Sequence, residues 1–160
     1  MNPRSIDVPS IQETTELRTA QIRLTIAKDE IRSAMGPAIS EVFATVAKQG
    51  LAPQGGWFTH HHKIDEHGWD FDVCVAVDRP VSAEGRVVAG TWPAMRVLRA
   101  VYTGPYEGLG DAWGEFDAWA KSAGIETQRD LWERYLVGPE SGPDATKYRT
   151  ELSRPVAVTK

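Results

Sequence analysis

The sequence predicts an α+β fold made of two βαββ units, and three observations carry that prediction. Trp69, Phe71, Val73, Val75 and Val77 alternate strictly with polar or small residues, the period-two signature of a strand with one buried face. Two helical stripes, Ile39, Val42, Phe43, Val46 and Leu109, Ala112, Trp113, Phe116, Ala120, Ala123, each run into a glycine, Gly50 and Gly124. The halves also match: Gly50-Leu51 falls on Gly124-Ile125 at an offset of 74 (124 minus 50), and the same offset places Ile39 on Trp113, Val42 on Phe116 and Phe58 on Trp132. Two such units are expected to join as one antiparallel sheet with two main helices and a pseudo-twofold ligand cleft.

Taken in order, residues 1–11 carry Pro3 and Pro9 without periodicity and read as a flexible arm. The remainder, 12–160, reads as one domain, with repeat one over about 12–80 and repeat two over about 90–158. Leu17, Ile22, Leu24 and Ile26 mark the first strand, ending near Lys28. Asp29 to Ala34 adds a helical turn, and Pro37 suits the first position of the helix that Gly50 stops. Trp57–Ile64 and Trp69–Asp78 form a hairpin around Asp65-Glu66-His67-Gly68, with Asp70 and Asp72 facing out. Arg79 to Gly90, broken by Pro80 and Gly85, reads as the connector. Repeat two follows with a strand over Met95–Tyr102, a helix after Gly104-Pro105, and two strands after Gly124-Ile125. Its Gly-Pro is offset by 68 (104 minus 36), so the second helix is expected to be longer.

Composition narrows the function. Charged residues make up 25% and the formal net charge is −4, which gives no electrostatic footprint for direct nucleic-acid binding. No stretch is apolar enough for a membrane span and no signal-type segment follows Met1, so a cytoplasmic protein without membrane contact is expected. The lone Cys74 in an apolar run excludes a disulfide framework and reads as a small buried residue.

The residue with the most chemistry is Glu133, in the strand Leu131-Trp132-Glu133-Arg134-Tyr135-Leu136. Strand alternation points Leu131, Glu133 and Tyr135 one way. A carboxylate flanked by apolar surface must be paired, be protonated or receive a cation. The offset of 74 makes Trp57, Thr59 and His61 the counterparts of Leu131, Glu133 and Tyr135, which leaves Trp57 and His61 open between pocket and core. Trp92, beside Pro93, reads as a lid over the cleft or a surface stack. Helical spacing alone explains Trp113, Phe116 and Trp119 as core, while Trp113 is also a candidate lining residue.

His60 and His62 form a His-x-His pair with Cys74 on the neighbouring strand, yet nothing completes a ligand set, so no metal and no cofactor are expected. Neither a nucleophile elbow nor a phosphate loop is present; Gly104-Pro105-Tyr106-Glu107-Gly108 lacks the glycine spacing and lysine of the latter.

Tyr102-Thr103-Gly104-Pro105-Tyr106-Glu107-Gly108-Leu109, Ala112-Trp113, Trp119, Leu131 to Tyr135 and Thr150-Glu151-Leu152-Ser153-Arg154-Pro155-Val156 together resemble the GyrI-like effector-binding domains. Repeat one adds Glu30-Ile31, Met35 to Ile39, Gly50 to Pro53 and Gly56 to His62. The resemblance begins near residue 13 and covers most of the chain; it departs at Trp92 and at Asp78-Arg79-Pro80. It implies tandem SHS2-like βαββ repeats, with the strand glutamate, here Glu133, facing a cleft lined by aromatic residues. With no preceding helix-turn-helix, a stand-alone member is expected.

The resulting expectation is a multidrug-type binding protein that senses or sequesters hydrophobic, aromatic, often cationic compounds. Glu133, Tyr135, Trp57, His61, Trp92, Tyr106 and Trp113 are its candidate ligand-binding residues. The alternative is a hydrolase of strained cyclopropane-bearing electrophiles, using Glu133 with Tyr106 or Tyr135. A separate regulator or topoisomerase partner is a third expectation, from the family's name.

Overall fold

Eight antiparallel strands and two α-helices make up the computed structural model, which describes residues 6–65, 68–138 and 142–157. The fold is α+β, as expected. The elements are β1 (Ser10–Glu13), β2 (Leu17–Ile26), α1 (Ile31–Lys48), β3 (Pro53–Asp65), β4 (Gly68–Val77), β5 (Val88–Trp92), β6 (Arg96–Thr103), α2 (Leu109–Ser122), β7 (Leu131–Val137) and β8 (Arg149–Pro155). The chain divides into two compact units, one over Thr14–Ala94 and one combining the segment up to Glu13 with the part from Met95 onward. No helix among the described residues is long and apolar enough to cross a membrane.

In the Thr14–Ala94 unit, β2 lies between β4 and β5, and β3 flanks β4. The register Ala20↔Val75, Ile22↔Val73 and Leu24↔Phe71 puts these side chains on one face, where Ala38, Val42 and Val46 of α1 cover them. Period two on the strands thus meets the 3.6 period of the helix. The other unit repeats the plan: β6 lies between β8 and β1, and β7 flanks β8. Leu98, Ala100, Leu131 and Leu152 meet Ala112, Phe116 and Ala120 of α2.

The glycines that define the repeat are matching helix stops. Gly50 (φ 69°) and Gly124 (φ 72°) occupy the left-handed region that side chains disfavour. Leu51 N–H returns to Val46 O at 3.0 Å, and Ile125 N–H to Ala120 O at 2.9 Å, the 6→1 bond of a Schellman motif in both places. Leu51 and Ile125 then enter their respective cores.

Five expectations change. The second helix, expected to be the longer, is the shorter: α2 has 14 residues against 18 in α1, because α1 extends on the N-terminal side of Pro37. Helix α1 begins at Ile31, not Pro37; Ile31, Ala34 and Met35 pack against the core, and that burial carries the helix through a proline that removes one backbone bond. Val88–Trp92, expected to lie in the connector and just beyond it, is strand β5 on the edge of β2. Part of the expected N-terminal arm is ordered: Ile6 is buried and bridges to Tyr102, and Ser10–Glu13 pairs with β6. Ala123 is exposed, because α2 ends one residue before it. The hairpin positions Glu66 and His67 lie outside the described residues.

Candidate ligand-binding site

Glu133 sits on the face of β7 that meets α2, with Leu131 before it and Leu152 opposite it on β8. The residue is 9% exposed. Trp113 Nε1 on α2 donates to Glu133 Oε2 at 2.7 Å, and the Tyr135 hydroxyl donates to Oε1 at 2.6 Å. Tyr135 can reach because residues two apart on a strand share a face. Each carboxylate oxygen is therefore held by an aromatic donor, which offsets part of the cost of burying the group and fixes its orientation.

Two further tyrosines extend this surround. Tyr106 meets Tyr135 edge-on with centroids 5.9 Å apart, and lies 5.2 Å from the Tyr148 ring. Tyr106 is positioned by the turn after β6. There the Tyr102 hydroxyl donates to Pro105 O at 2.7 Å, and Gly104 N–H donates to Tyr148 O at 2.8 Å. A Cβ on Gly108 would collide with the Tyr102 hydroxyl, so the glycine is required by close approach rather than by phosphate binding. Burial, reinforced by Glu107, Asp111 and Glu115, pushes the Tyr102 phenol up and keeps it a donor.

Trp113 has a second role. The Arg154 guanidinium lies 5.2 Å from the centre of its ring and is fixed by Asp117 and by the carbonyls of Gln128 and Arg129. The indole thus takes a cation on its face and turns its N–H to Glu133.

Glu133, Tyr135, Tyr106 and Trp113 are brought together within one unit. The other predicted residues lie in the Thr14–Ala94 unit. Trp57 is half-buried against that unit's core, and His61, 5% exposed, stacks on Phe71 at 4.8 Å with its edge toward Trp69. Thr59, at the position equivalent to Glu133, is completely buried. Trp92 is neither lid nor surface stack: it is 1% exposed and tilts against Phe58 at 4.9 Å. The cause is β5, whose pairing with β2 sets Trp92 opposite Leu17 on the sheet instead of leaving it in a loop.

Two residues gain importance beyond their sequence reading. Tyr148, buried beside Tyr106, has no reading from the sequence, where its only mark is an aromatic just before the last strand. Asp72, expected to face out, is 5% exposed and bonds His62 Nε2 through Oδ2 at 2.6 Å. Its sheet face also carries the buried Phe58, Cys74 and Trp92, so period two identified the face but not its burial.

Residues 8–157 match the GyrI-like small molecule binding domain. The chain belongs to this family. No match was found among curated proteins. Of solved structures, the EcmrR C-terminal domain superimposes with a TM-score of 0.82 at 23% identity, over 94% of this chain and 98% of that one. EcmrR in its DNA complex gives 0.84 at 22% identity, over 97% of this chain; the present chain spans 59% of that one. SAV2435 bound to tetraphenylphosphonium gives 0.64 at 14% identity over 93% of each chain. A hydrolase encoded by lin2189 from Listeria innocua gives 0.64 at 13%, over 97% of this chain and 93% of that one. At these identities the likeness to the solved structures is one of fold, and the GyrI-like family supplies the coarse function of small-molecule binding.

Proposed function

We propose that this GyrI-like domain binds hydrophobic, aromatic and often cationic compounds, sensing or sequestering them in the cytoplasm, with Glu133 as the charge that selects them. The observation that carries this reading is a 9% exposed carboxylate whose two oxygens are held by Trp113 and Tyr135, with Tyr106 packed onto Tyr135. A lipophilic cation gains Coulomb energy from such a carboxylate and about 0.5–2 kcal/mol from each ring face it meets. Neither term demands a directional fit, so one site serves many ligands. The fold neighbour with bound tetraphenylphosphonium supplies a probe of this chemistry.

Titration with tetraphenylphosphonium, followed by calorimetry and tryptophan fluorescence, should give saturable binding at one site. Glu133→Gln should weaken it at least tenfold, about 1.4 kcal/mol. No saturation, or equal affinity in the variant, would overturn the reading.

The 2.6 Å contact between the Tyr135 hydroxyl and Glu133 Oε1 supports a second reading, a hydrolase of strained cyclopropane-bearing electrophiles. Incubation with a spirocyclopropane electrophile and mass detection of the water adduct separates the two. Many products per chain favour the hydrolase, and at most one favours the binder.

A further inference from the structure

On the face of the Thr14–Ala94 sheet that points away from α1, two histidines and a carboxylate converge. His60 and His62 lie on β3 with ring centroids 4.2 Å apart. His60 is in register with Asp72 of β4, and adjacent residues in an antiparallel pair share a face. The register shifts between His61 and Lys63, so His62 is the extra residue of a β-bulge, and its Nε2 lies 2.6 Å from Asp72 Oδ2. Bulges re-aim side chains, and they recur beside functional sites. One ligand atom from each of His60, His62 and Asp72 lies within 4.8 Å of the others.

We propose that His60, His62 and Asp72 form a site for a divalent transition-metal ion, of which Zn²⁺ is the best match, with a fourth position for water or an exogenous donor. Two imidazoles and one carboxylate suit zinc, whose bonds to N and O are about 2.0–2.2 Å, and do not suit Mg²⁺ or Ca²⁺, which prefer all-oxygen shells. Tetrahedral bonds of that length separate donors by about 3.3 Å. The His62–Asp72 contact opens from 2.6 Å to reach that spacing, and no two donors of the trio start more than 4.8 Å apart.

The neighbouring charges fit the assignment. Arg23 of β2 is in register with Asp72, yet it directs Nε and Nη2 to Asp70, at 2.6 and 2.8 Å. Asp72 is engaged instead with His62, and its side chain is only 7% exposed, so the carboxylate is fixed while the 31% exposed His62 leaves an approach for the ion. Cys74, the third ligand that the sequence brought to mind, is 1% exposed with Sγ turned to Gln21 Oε1 at 3.8 Å. The carboxylate takes the thiol's place, and all three donors lie within the Thr14–Ala94 unit.

The test is Zn²⁺ binding to the full-length, metal-free chain without a polyhistidine tag, measured by competition with a chromogenic chelator, with Co²⁺ absorption as a second readout. One ion per chain at micromolar affinity or tighter is expected, together with visible Co²⁺ bands of a four-coordinate N/O site. His60→Asn and His62→Asn should each weaken binding at least tenfold, and the double variant should abolish the Co²⁺ bands. Because Asp72→Asn alters a buried group, circular dichroism of each metal-free variant confirms folding, and the partly exposed histidines decide the outcome. Absence of a one-to-one complex, or undiminished affinity in a folded His60→Asn/His62→Asn double variant, would overturn the assignment.

Discussion

The indole Nε1 of Trp113 donates a 2.7 Å hydrogen bond to Oε2 of Glu133, joining α2 to β7 beneath it. Helical spacing predicts Trp113 as core and strand alternation sets Glu133 on the face of Leu131 and Tyr135; the bond ties these two buried side chains together.

Trp113→Phe keeps an aromatic ring beside Phe116, 5.0 Å away, and removes the donor. A buried carboxylate oxygen that loses its partner costs about 1–3 kcal/mol, which urea unfolding should register. Affinity for an aromatic cation should fall as well, because Glu133 is no longer held in one rotamer. A variant with wild-type stability would show that the bond contributes nothing.

The turn that carries Tyr106 makes a prediction of non-additivity. Tyr102→Phe removes the bond to Pro105 O and should cost about 0.5–1.5 kcal/mol. Gly108→Ala drives a methyl into the Tyr102 hydroxyl and should cost more. In the Tyr102→Phe background the colliding atom is gone, so Gly108→Ala should cost less there than in the wild type. Additive effects in a double-mutant cycle would show that the two residues do not oppose each other.

The legible parts of the chain were those with a repeated pattern. Gly50-Leu51 and Gly124-Ile125 matched in sequence because both form the same left-handed helix stop. Glu133 was legible because period two leaves a strand residue only two faces, and Leu131 and Leu152 make its face the apolar one. Strands β1 and β5 were not, since four or five residues show no usable period and Val88-Ala89-Gly90-Thr91-Trp92 contains a glycine. What they add is pairing at an edge, which depends on the partner strand. Asp72 was misjudged for a related reason: the register that sets it opposite His60, and the bulge at His62, arise between strands and leave no mark on either alone.

Trp92 separates a core role from a lid. As a core residue, 1% exposed against Phe58, its replacement in Trp92→Ala should cost about 3–5 kcal/mol. A lid residue would leave unfolding unchanged and alter ligand release instead. Urea unfolding and stopped-flow displacement of the aromatic cation, run on the same variant, distinguish these outcomes.

The last prediction concerns acid. Arg86 donates to Glu41 Oε1 through Nη2 at 2.8 Å and Nε at 3.1 Å, and through its backbone N–H to Oε2 at 3.3 Å, tying α1 to the segment before β5. The guanidinium hydrogen bond beside Glu41 is the main reason its carboxyl is held below the usual range. A carboxyl whose folded value lies below its unfolded one, about 4.3, contributes stability that is fully present above that pH. The contribution is lost as pH falls through the lowered folded value, since the unfolded chain then takes up the proton first. Stability should therefore decline below about pH 4, and Glu41→Gln should remove part of that decline. Asp70, held low mainly by Arg23, and Asp78, held low mainly by the backbone N–H of Ala52, contribute in the same direction. The Glu41–Arg86 pair is partly exposed, so the effect is modest and salt should shrink it. Urea unfolding at pH 7, 4.5 and 3 is the measurement, and an identical pH profile in Glu41→Gln would remove Glu41 from the account.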